Sequence, residues 1–278
     1  MPYTFKKNRM YRMPTHFGPC LGPRQGLNGR KFANTTSPNN TSLAVSFKTR
    51  SKSLKTFLPP GFEIDGEPIV TVRASYITNI QWLAGRGYNT LGVSFPAIFA
   101  GQQDRVHGNF LLVLWENLAD PIITGREELG FSKIYCDLLE PRHLQGVTNC
   151  IASWMGFKFL DLKLSNMKQL NPTEIRSRRQ TQRSSGILHY KYQPRTEEWG
   201  TADAVYPTFT PSAGSNSVIE EMWSGDGAVK FHEATWEDLP TMVNIVNAFY
   251  DLEILEYTDA IMVKSVGGKD LGDQRILR

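Results

Sequence analysis

The sequence predicts an α+β fold in which a strongly curved, cone- or barrel-like antiparallel β-sheet encloses a cavity and one long C-terminal helix packs against it. Three observations lead to this prediction. Short runs of β-branched, aromatic and aliphatic residues, separated by Gly, Pro and Asn clusters, fill most of the chain after Leu43. Only one late segment has a sustained helical period. The 278 residues contain no internal repeat and no linker, so one folded domain is expected.

The chain is expected to divide into an extended N-terminal arm, residues 1–42, and the folded domain, residues 43–278. The arm is rich in Gly, Pro, Asn and basic residues and has no sustained period of either kind. Its turn signals leave open whether it wraps around the domain or extends away from it.

Four runs are predicted to be strands because they combine high β-propensity with turn residues at both ends. They cover residues 69–76, 90–99, 110–115 and 157–164. Every residue of the run 110–115 is apolar, which indicates a strand that is buried on both faces.

The long C-terminal helix is predicted over residues 237–252, and a shorter one over residues 51–57. Thr235 and Asp238 resemble a capping box at the start of the long helix, with Pro240 in its first turn. The apolar residues that recur at intervals of three and four are Leu239, Met242, Val243, Val246, Phe249 and Tyr250.

Composition and charge argue against several classes of partner and binding site. The 31 basic and 27 acidic residues leave a net charge of +4, so no nucleic-acid partner is expected. No apolar run is long enough to span a membrane, and no membrane partner is expected. The three cysteines and five histidines lack the spacing of metal ligands, and no phosphate- or dinucleotide-binding motif is found. We expect a cytoplasmic protein with no metal and no cofactor.

One segment carries a specific resemblance. Residues 115–135, WENLADPIITGREELGFSKIY, resemble the acetoacetate decarboxylase family. The most specific element is the tripeptide 125–127, Gly-Arg-Glu, followed by Ser132 and then Lys133. Weaker similarity before and after this segment extends the resemblance over residues 16–255. The chain is identified as a divergent member of a fungal or bacterial branch.

The resemblance implies a catalytic role for Lys133, which falls on the lysine that forms a Schiff base with a β-keto acid in that family. It therefore implies a carboxy-lyase that acts on a small-molecule β-keto acid or related oxo acid, and a homo-oligomer. An amine attacks a carbonyl only when it is unprotonated, whereas a free lysine has a pKa near 10.4. Desolvation or a nearby cation lowers the pKa of such a lysine, as is established for the namesake of the family.

The residues around Lys133 fit this chemistry only in part. In a strand, Phe131 and Tyr135 share a face with Lys133 and would desolvate its amine. The second lysine of the family falls on Ile134, and two acids of the family fall on Thr90 and Arg73. The predicted substrate-binding residues are Arg73, Thr90, Leu114, Trp115, Arg126, Glu127, Phe131 and Tyr135.

Two roles are open for the arginines. Arg73 or Arg126 can orient a substrate carboxylate, because a guanidinium binds a carboxylate through two hydrogen bonds. Arg73 can instead replace the missing cation beside Lys133. Arg126 can also form an ion pair with Glu127, which is the more common fate of such neighbours.

Three alternatives to decarboxylation remain. The imine can serve aldol condensation and dehydration, or cyclisation, in a biosynthetic pathway of secondary metabolism. The protein can also be a non-covalent pocket protein that binds an apolar carbonyl compound, since a curved sheet encloses a cavity without requiring catalysis. In the last case Lys133 is a buried structural lysine.

Overall fold

The fold was established from a computed structural model, which describes residues 4–181 and 185–278. Within these ranges the strands are Asn39–Lys48 (β1), Phe62–Ile64 (β2), Ile69–Thr78 (β3), Tyr88–Ala100 (β4), Arg105–Glu116 (β5), Lys133–Tyr135 (β6), Asp137–Leu138 (β7), Arg142–Leu144 (β8), Val147–Trp154 (β9), Phe157–Gln169 (β10), Gly186–Pro194 (β11), Ala202–Pro211 (β12), Val218–Phe231 (β13), Glu256–Val266 (β14) and Arg275–Ile276 (β15). The α-helices are Ser51–Lys55 (α1), Ala119–Thr124 (α2), Pro172–Thr181 (α3) and Val243–Tyr250 (α4). The four predicted strands lie within β3, β4, β5 and β10.

The strands form one mixed, mostly antiparallel sheet in the order β15-β12-β11-β5-β4-β3-β1-β14-β13-β10-β9-β7. The sheet is not closed, so the barrel form of the prediction is wrong, whereas a largely antiparallel sheet with few helices is confirmed. β5 pairs in parallel with both β6 and β11. The pairing with β6 is parallel because the helical segment between the two strands returns the chain in its original direction.

The alternation of side chains along β1, β3 and β4 gives this part of the sheet two different faces. One face belongs to the hydrophobic core and carries the fully buried residues Leu43, Val45, Val70, Val72, Leu91 and Val93. The intervening positions of the same strands line a cavity and are small or polar. Each buried Val or Leu contributes about 1.5–3 kcal/mol to stability, so the core face holds the sheet and leaves the other face free to bind.

The C-terminal helix is much shorter than predicted, because α4 begins at Val243 rather than at residue 237. The capping turn exists: the Thr235 backbone N–H donates to Asp238 Oδ2 at 2.9 Å, and Asp238 N–H donates to Thr235 Oγ1 at 3.3 Å. The turn does not continue into the helix, since Met242 has φ −148° and ψ 16°. Pro240 explains the interruption, because it lacks an N–H and disfavours a helical conformation at the residue before it.

The N-terminal arm packs against the segment that follows α2. Arg12 and Arg24 both form ion pairs with Glu128. β1 begins at Asn39, within the range predicted for the arm. Among the helices of the described ranges, none combines the length and the apolar character needed to cross a membrane.

Candidate active site

A helical crossover places Lys133 beside the end of β5. α2 continues into a π-helical turn, Gly125–Leu129, and the turn ends at Gly130 in the left-handed conformation with φ 78°. The chain then enters β6, where Lys133 lies opposite Leu114 of β5. π-Helical turns are rare in proteins, and those that do occur are often found at functional sites. The motif that carries the family resemblance is therefore a tight crossover that presents one lysine to the sheet.

The Lys133 side chain is almost fully enclosed, since the residue is only 8% exposed. Its Nζ lies 2.9 Å from Glu116 Oε1 and donates a hydrogen bond to the carbonyl oxygen of Pro121 at 3.0 Å. The Phe131 ring centroid is 5.3 Å from Nζ. Burial lowers the pKa of Lys133, and the attraction of Glu116 opposes that shift.

Glu116 is the polar partner that the sequence analysis missed. It is 1% exposed, and its Oε2 has no hydrogen-bond partner among the described residues. Burial raises the pKa of Glu116, and the nearby Lys133 opposes this. The pKa of the acid and that of the amine are thus shifted toward each other, which favours proton exchange between them. The signal in the sequence is an acid directly after the apolar run 110–115.

The cation that further lowers the pKa of Lys133 is Arg24, from the N-terminal arm. Arg73 does not take this role, because β4 and β5 separate its strand from β6. Ile134, at the position of the second family lysine, is partly buried against the hydrophobic core. Sequence spacing could not reveal Arg24, since it lies more than a hundred positions before Lys133.

β11 supplies a second wall that the sequence analysis also missed. His189 is fully buried, its ring centroid is 4.0 Å from that of Phe131, and its Nε2 lies 3.1 Å from Thr210 Oγ1. Burial, with a contribution from Lys133, lowers the pKa of His189 to about 3, so the imidazole is neutral at pH 7. Lys191 Nζ donates to the carbonyl oxygen of Glu127 at 2.8 Å and holds the crossover against this wall.

A cavity of about 750 Å³ lies along the polar face of β1, β3 and β4. It brings together four of the predicted substrate-binding residues: Arg73, Thr90, Leu114 and Phe131. The volume is typical of a small-molecule site. Lys133 does not itself line this cavity. Lys133 lies next to two residues that do, since it pairs with Leu114 across the strands and its amine is 5.3 Å from the Phe131 ring centroid.

Trp115 and Tyr135 do not line the cavity. Trp115 points to the opposite face of β5 from Leu114 and is fully buried, with ring centroids 5.2 Å from Phe159 and 6.1 Å from Phe249. Tyr135 is 46% exposed, and its hydroxyl donates to Asp137 Oδ1 at 2.9 Å. The Trp115 indole is therefore part of the hydrophobic core, and the Tyr135 phenol faces solvent.

Arg126 and Glu127 are also remote from the cavity, because both side chains are exposed on the crossover. Arg126 Nη1 donates to the backbone carbonyl of Lys133 at 2.7 Å. Glu127 contributes its own carbonyl oxygen to the Lys191 contact. These two residues of the motif fix the backbone on either side of the lysine.

The position of Gly125 leaves no room for a side chain, because the Lys133 side chain passes directly over it. A Cβ placed there would lie 2.5 Å from both Cδ and Cε of Lys133 and 2.8 Å from its Nζ. We expect Gly125→Ala to displace the amine and to slow imine formation about 100-fold, since a shift of about 1 Å has that effect at a reacting centre. The backbone at residue 125 has φ −69°, which alanine adopts without strain.

The rate of reductive trapping of a bound oxo acid measures this effect. Ile123→Ala, at an exposed position of α2, is the matched control and should react like the natural protein. An unchanged trapping rate in Gly125→Ala, with the same melting temperature, would contradict the placement of the lysine.

Comparisons with known proteins agree with this geometry. The family model described as acetoacetate decarboxylase matches residues 12–270. A solved acetoacetate decarboxylase is 15% identical, with a TM-score of 0.64 over 88% of this chain and 91% of that chain. An acetoacetate decarboxylase-like enzyme from Sphingomonas wittichii RW1 is 16% identical, with a TM-score of 0.62 over 87% of this chain and 92% of that chain.

The enduracididine biosynthesis enzyme MppR, complexed with pyruvate, is 15% identical, with a TM-score of 0.63 over 93% of this chain and 99% of that chain. At these identities the structures show a shared fold. No curated protein matches the sequence significantly. Because the family model covers almost all of the chain, including the crossover with its glycine and lysine, the chain belongs to the acetoacetate decarboxylase family.

Proposed function

We propose that the protein is a carbon–carbon lyase that forms a Schiff base between Lys133 and the ketone of an oxo acid, most simply a β-keto acid. The observation that carries this proposal is the buried Lys133–Glu116 pair, with 2.9 Å between amine and carboxylate. A lysine whose pKa is lowered by burial and whose proton has a nearby acceptor has the two properties that attack on a carbonyl requires.

The chemistry follows from this pair. Lys133 passes a proton to Glu116, and the neutral amine attacks the carbonyl carbon. The carbonyl oxygen then takes up the second proton that the nitrogen loses, which gives a carbinolamine. Glu116 returns its proton as that oxygen leaves as water, and an iminium ion remains. In decarboxylation the bond to the carboxylate then breaks, its electron pair moves to the iminium, and carbon dioxide leaves. Protonation of the enamine and hydrolysis release the ketone and restore Lys133.

Arg24 is the residue we propose to hold the carboxylate that is lost. In a β-keto acid this carboxylate is two bonds from the imine carbon, so its partner must lie close to Lys133. Arg24 is close enough to lower the pKa of Lys133, and its Nε is buried without a hydrogen-bond partner among the described residues. Its Nη2 already contacts Glu128, which fixes the guanidinium in place.

A second candidate, aldol condensation followed by dehydration, has specific support from a structural neighbour. MppR has been solved with pyruvate and with the condensation product of pyruvate and imidazole 4-carboxaldehyde. The same lysine imine serves both reactions, because each begins by drawing electrons toward the iminium nitrogen. The homo-oligomer, the cytoplasmic location and a role in secondary metabolism stay predictions.

Borohydride reduction in the presence of acetoacetate or pyruvate tests the proposal. We expect a stable mass increase that peptide mapping locates on Lys133. Lys163→Met, which removes an exposed lysine of β10, is the control and should be trapped normally. Absence of an adduct with both acids, or an adduct that persists in Lys133→Met, would refute the Schiff base. Release of carbon dioxide from acetoacetate, compared with condensation of pyruvate with an aldehyde, then separates the two reactions.

A further inference from the structure

The cavity face of the sheet is rich in hydroxyl groups along its whole length, from the position opposite Glu116 to the far end. Five positions on the cavity face of β1, β3 and β4 are Ser46, Thr71, Ser75, Thr90 and Ser94. They are cross-strand neighbours: Thr71 lies opposite both Ser46 and Ser94, and Ser75 lies opposite Thr90. A binding surface of this composition suits a polar, oxygen-rich ligand better than an apolar one.

Arg73 lies in the middle of this surface. Its Nη1 donates to Ser42 Oγ at 3.3 Å, and no carboxylate of the described ranges forms an ion pair with it. Burial lowers the pKa of Arg73, and only the more distant charge of Asp259 acts in the opposite direction. A guanidinium has five N–H donors, so most of its hydrogen-bonding capacity faces the cavity.

The carboxylates that line the cavity each have another partner and none forms an ion pair with Arg73, although the charge of Asp259 acts on it through space. Glu67 pairs with Lys48 at 2.5 Å, Asp65 lies 2.8 Å from His107 Nδ1, and Asp259 pairs with Arg178 at 2.8 Å. A partly desolvated cation without a counter-ion is costly in a folded protein. A ligand carboxylate would remove that cost, and a guanidinium binds it through two parallel hydrogen bonds.

The distance between Arg73 and Lys133 decides which carboxylate of a bound substrate Arg73 can reach. Arg73, Gly92, Leu114 and Lys133 form one cross-strand row, so Arg73 and Lys133 are three strands apart, about 14 Å between Cα atoms at the usual strand spacing. The two side chains do not point toward each other along the row. Lys133 points to Glu116, and Arg73 points to Ser42 on β1, away from β4. The reacting carboxylate of a β-keto acid is therefore too close to the imine to reach Arg73.

We propose that Arg73 binds a second carboxylate, at the far end of an elongated substrate, so that the substrate class is a linear oxo diacid rather than a short monocarboxylic oxo acid. This inference rests on the proposed Schiff-base function. Gly92 lies between Arg73 and Leu114 in the row, and a Cβ there would lie 3.2 Å from Leu114 Cδ1 and 3.5 Å from Leu111 Cδ1, so leucine side chains cover this position and form an apolar floor between the two ends. The serine and threonine hydroxyls beside Arg73 donate further hydrogen bonds to the carboxylate or to oxygens along the chain.

The test compares 3-oxodecanoate with 3-oxodecanedioate, which differ only by a methyl or a carboxylate at the far end. In borohydride trapping of the natural protein we expect half-maximal labelling at a roughly tenfold to hundredfold lower concentration of the diacid, the range for hydrogen bonds to a charged group. Arg73→Met should abolish this preference and leave trapping of the monoacid unchanged. Arg86→Met, in the exposed loop between β3 and β4, is the control and should retain the preference.

Equal trapping of the two acids by the natural protein, or a preference that survives in Arg73→Met, would overturn the inference and leave the Schiff base intact. If neither acid is trapped, the proposed function fails, and the subsite is tested by calorimetry with decanedioate, which has no ketone. Binding of decanedioate by the natural protein but not by Arg73→Met would support the Arg73 subsite without catalysis. No binding by either protein would overturn it.

Discussion

Lys133→Met is expected to remove all borohydride-trapped adduct and to reduce turnover of the natural substrate to background, because no other described lysine lies beside Glu116 at this end of the cavity. The same substitution is expected to destabilise the fold, since it leaves the Glu116 carboxylate buried without its cation. Removing one partner of a buried ion pair costs about 3–5 kcal/mol. Methionine keeps most of the side-chain volume of lysine, so the loss of stability measures the effect of the missing charge rather than of altered packing.

The destabilisation should depend on pH in a direction that identifies its cause. Burial already raises the pKa of Glu116 above its ordinary value of 4.5, and the loss of Lys133 removes the attraction that opposes this shift. A group whose folded pKa is above its unfolded pKa is protonated in both states at low pH, and folding loses stability as the pH rises through the folded value. The penalty in Lys133→Met should therefore be small below about pH 4.5 and grow toward neutral pH.

Thermal or urea unfolding between pH 4 and pH 8 measures this penalty, and a double variant provides the control. Lys133→Met/Glu116→Gln carries no buried charge at this position, so its stability should be less dependent on pH than that of Lys133→Met. A single variant as stable at pH 8 as the natural protein would show that the pair is not buried in the folded state.

Glu116→Gln is expected to move the acid limb of imine formation to lower pH and, at the same time, to lower its maximal rate. The attraction of Glu116 is what raises the pKa of Lys133 against the effect of burial, so its removal lowers that pKa further. The neutral amine then predominates at a lower pH, and the acid limb of the rate of imine formation should move to lower pH. The maximal rate of imine formation, and turnover with it, should nevertheless fall about 10²- to 10⁴-fold, because the group that gives and takes protons during loss of water is missing.

Rapid-mixing measurements of imine formation and steady-state measurements of kcat, both across pH, test the two parts separately. Glu63→Gln removes an exposed acid on β2 and should change neither profile. An acid limb that moves to higher pH, or a kcat equal to that of the natural protein, would exclude Glu116 as the proton carrier.

The family and four of the strands could be predicted because their signals are local, and the same local motif led to Lys133, whose catalytic role stays a prediction. The alternation along β1, β3 and β4 separates a core face from a cavity face by the period of two alone. The tripeptide 125–127 and Lys133 lie within nine positions of one another, so the crossover that joins them leaves a pattern in the sequence. The capping turn at Thr235 was visible for the same reason.

The surroundings of Lys133 were decided by the tertiary structure. Glu116 meets the amine only because the crossover makes β6 parallel to β5, and Arg24 and His189 arrive from distant parts of the chain. Charge and burial act through space, and a sequence pattern records only neighbours along the chain or across a regular period. For that reason the sequence alone predicted the lysine and four of the strands, whereas the acid beside the lysine, the distance of Arg73 from it and the open edge of the sheet depended on how the strands came together.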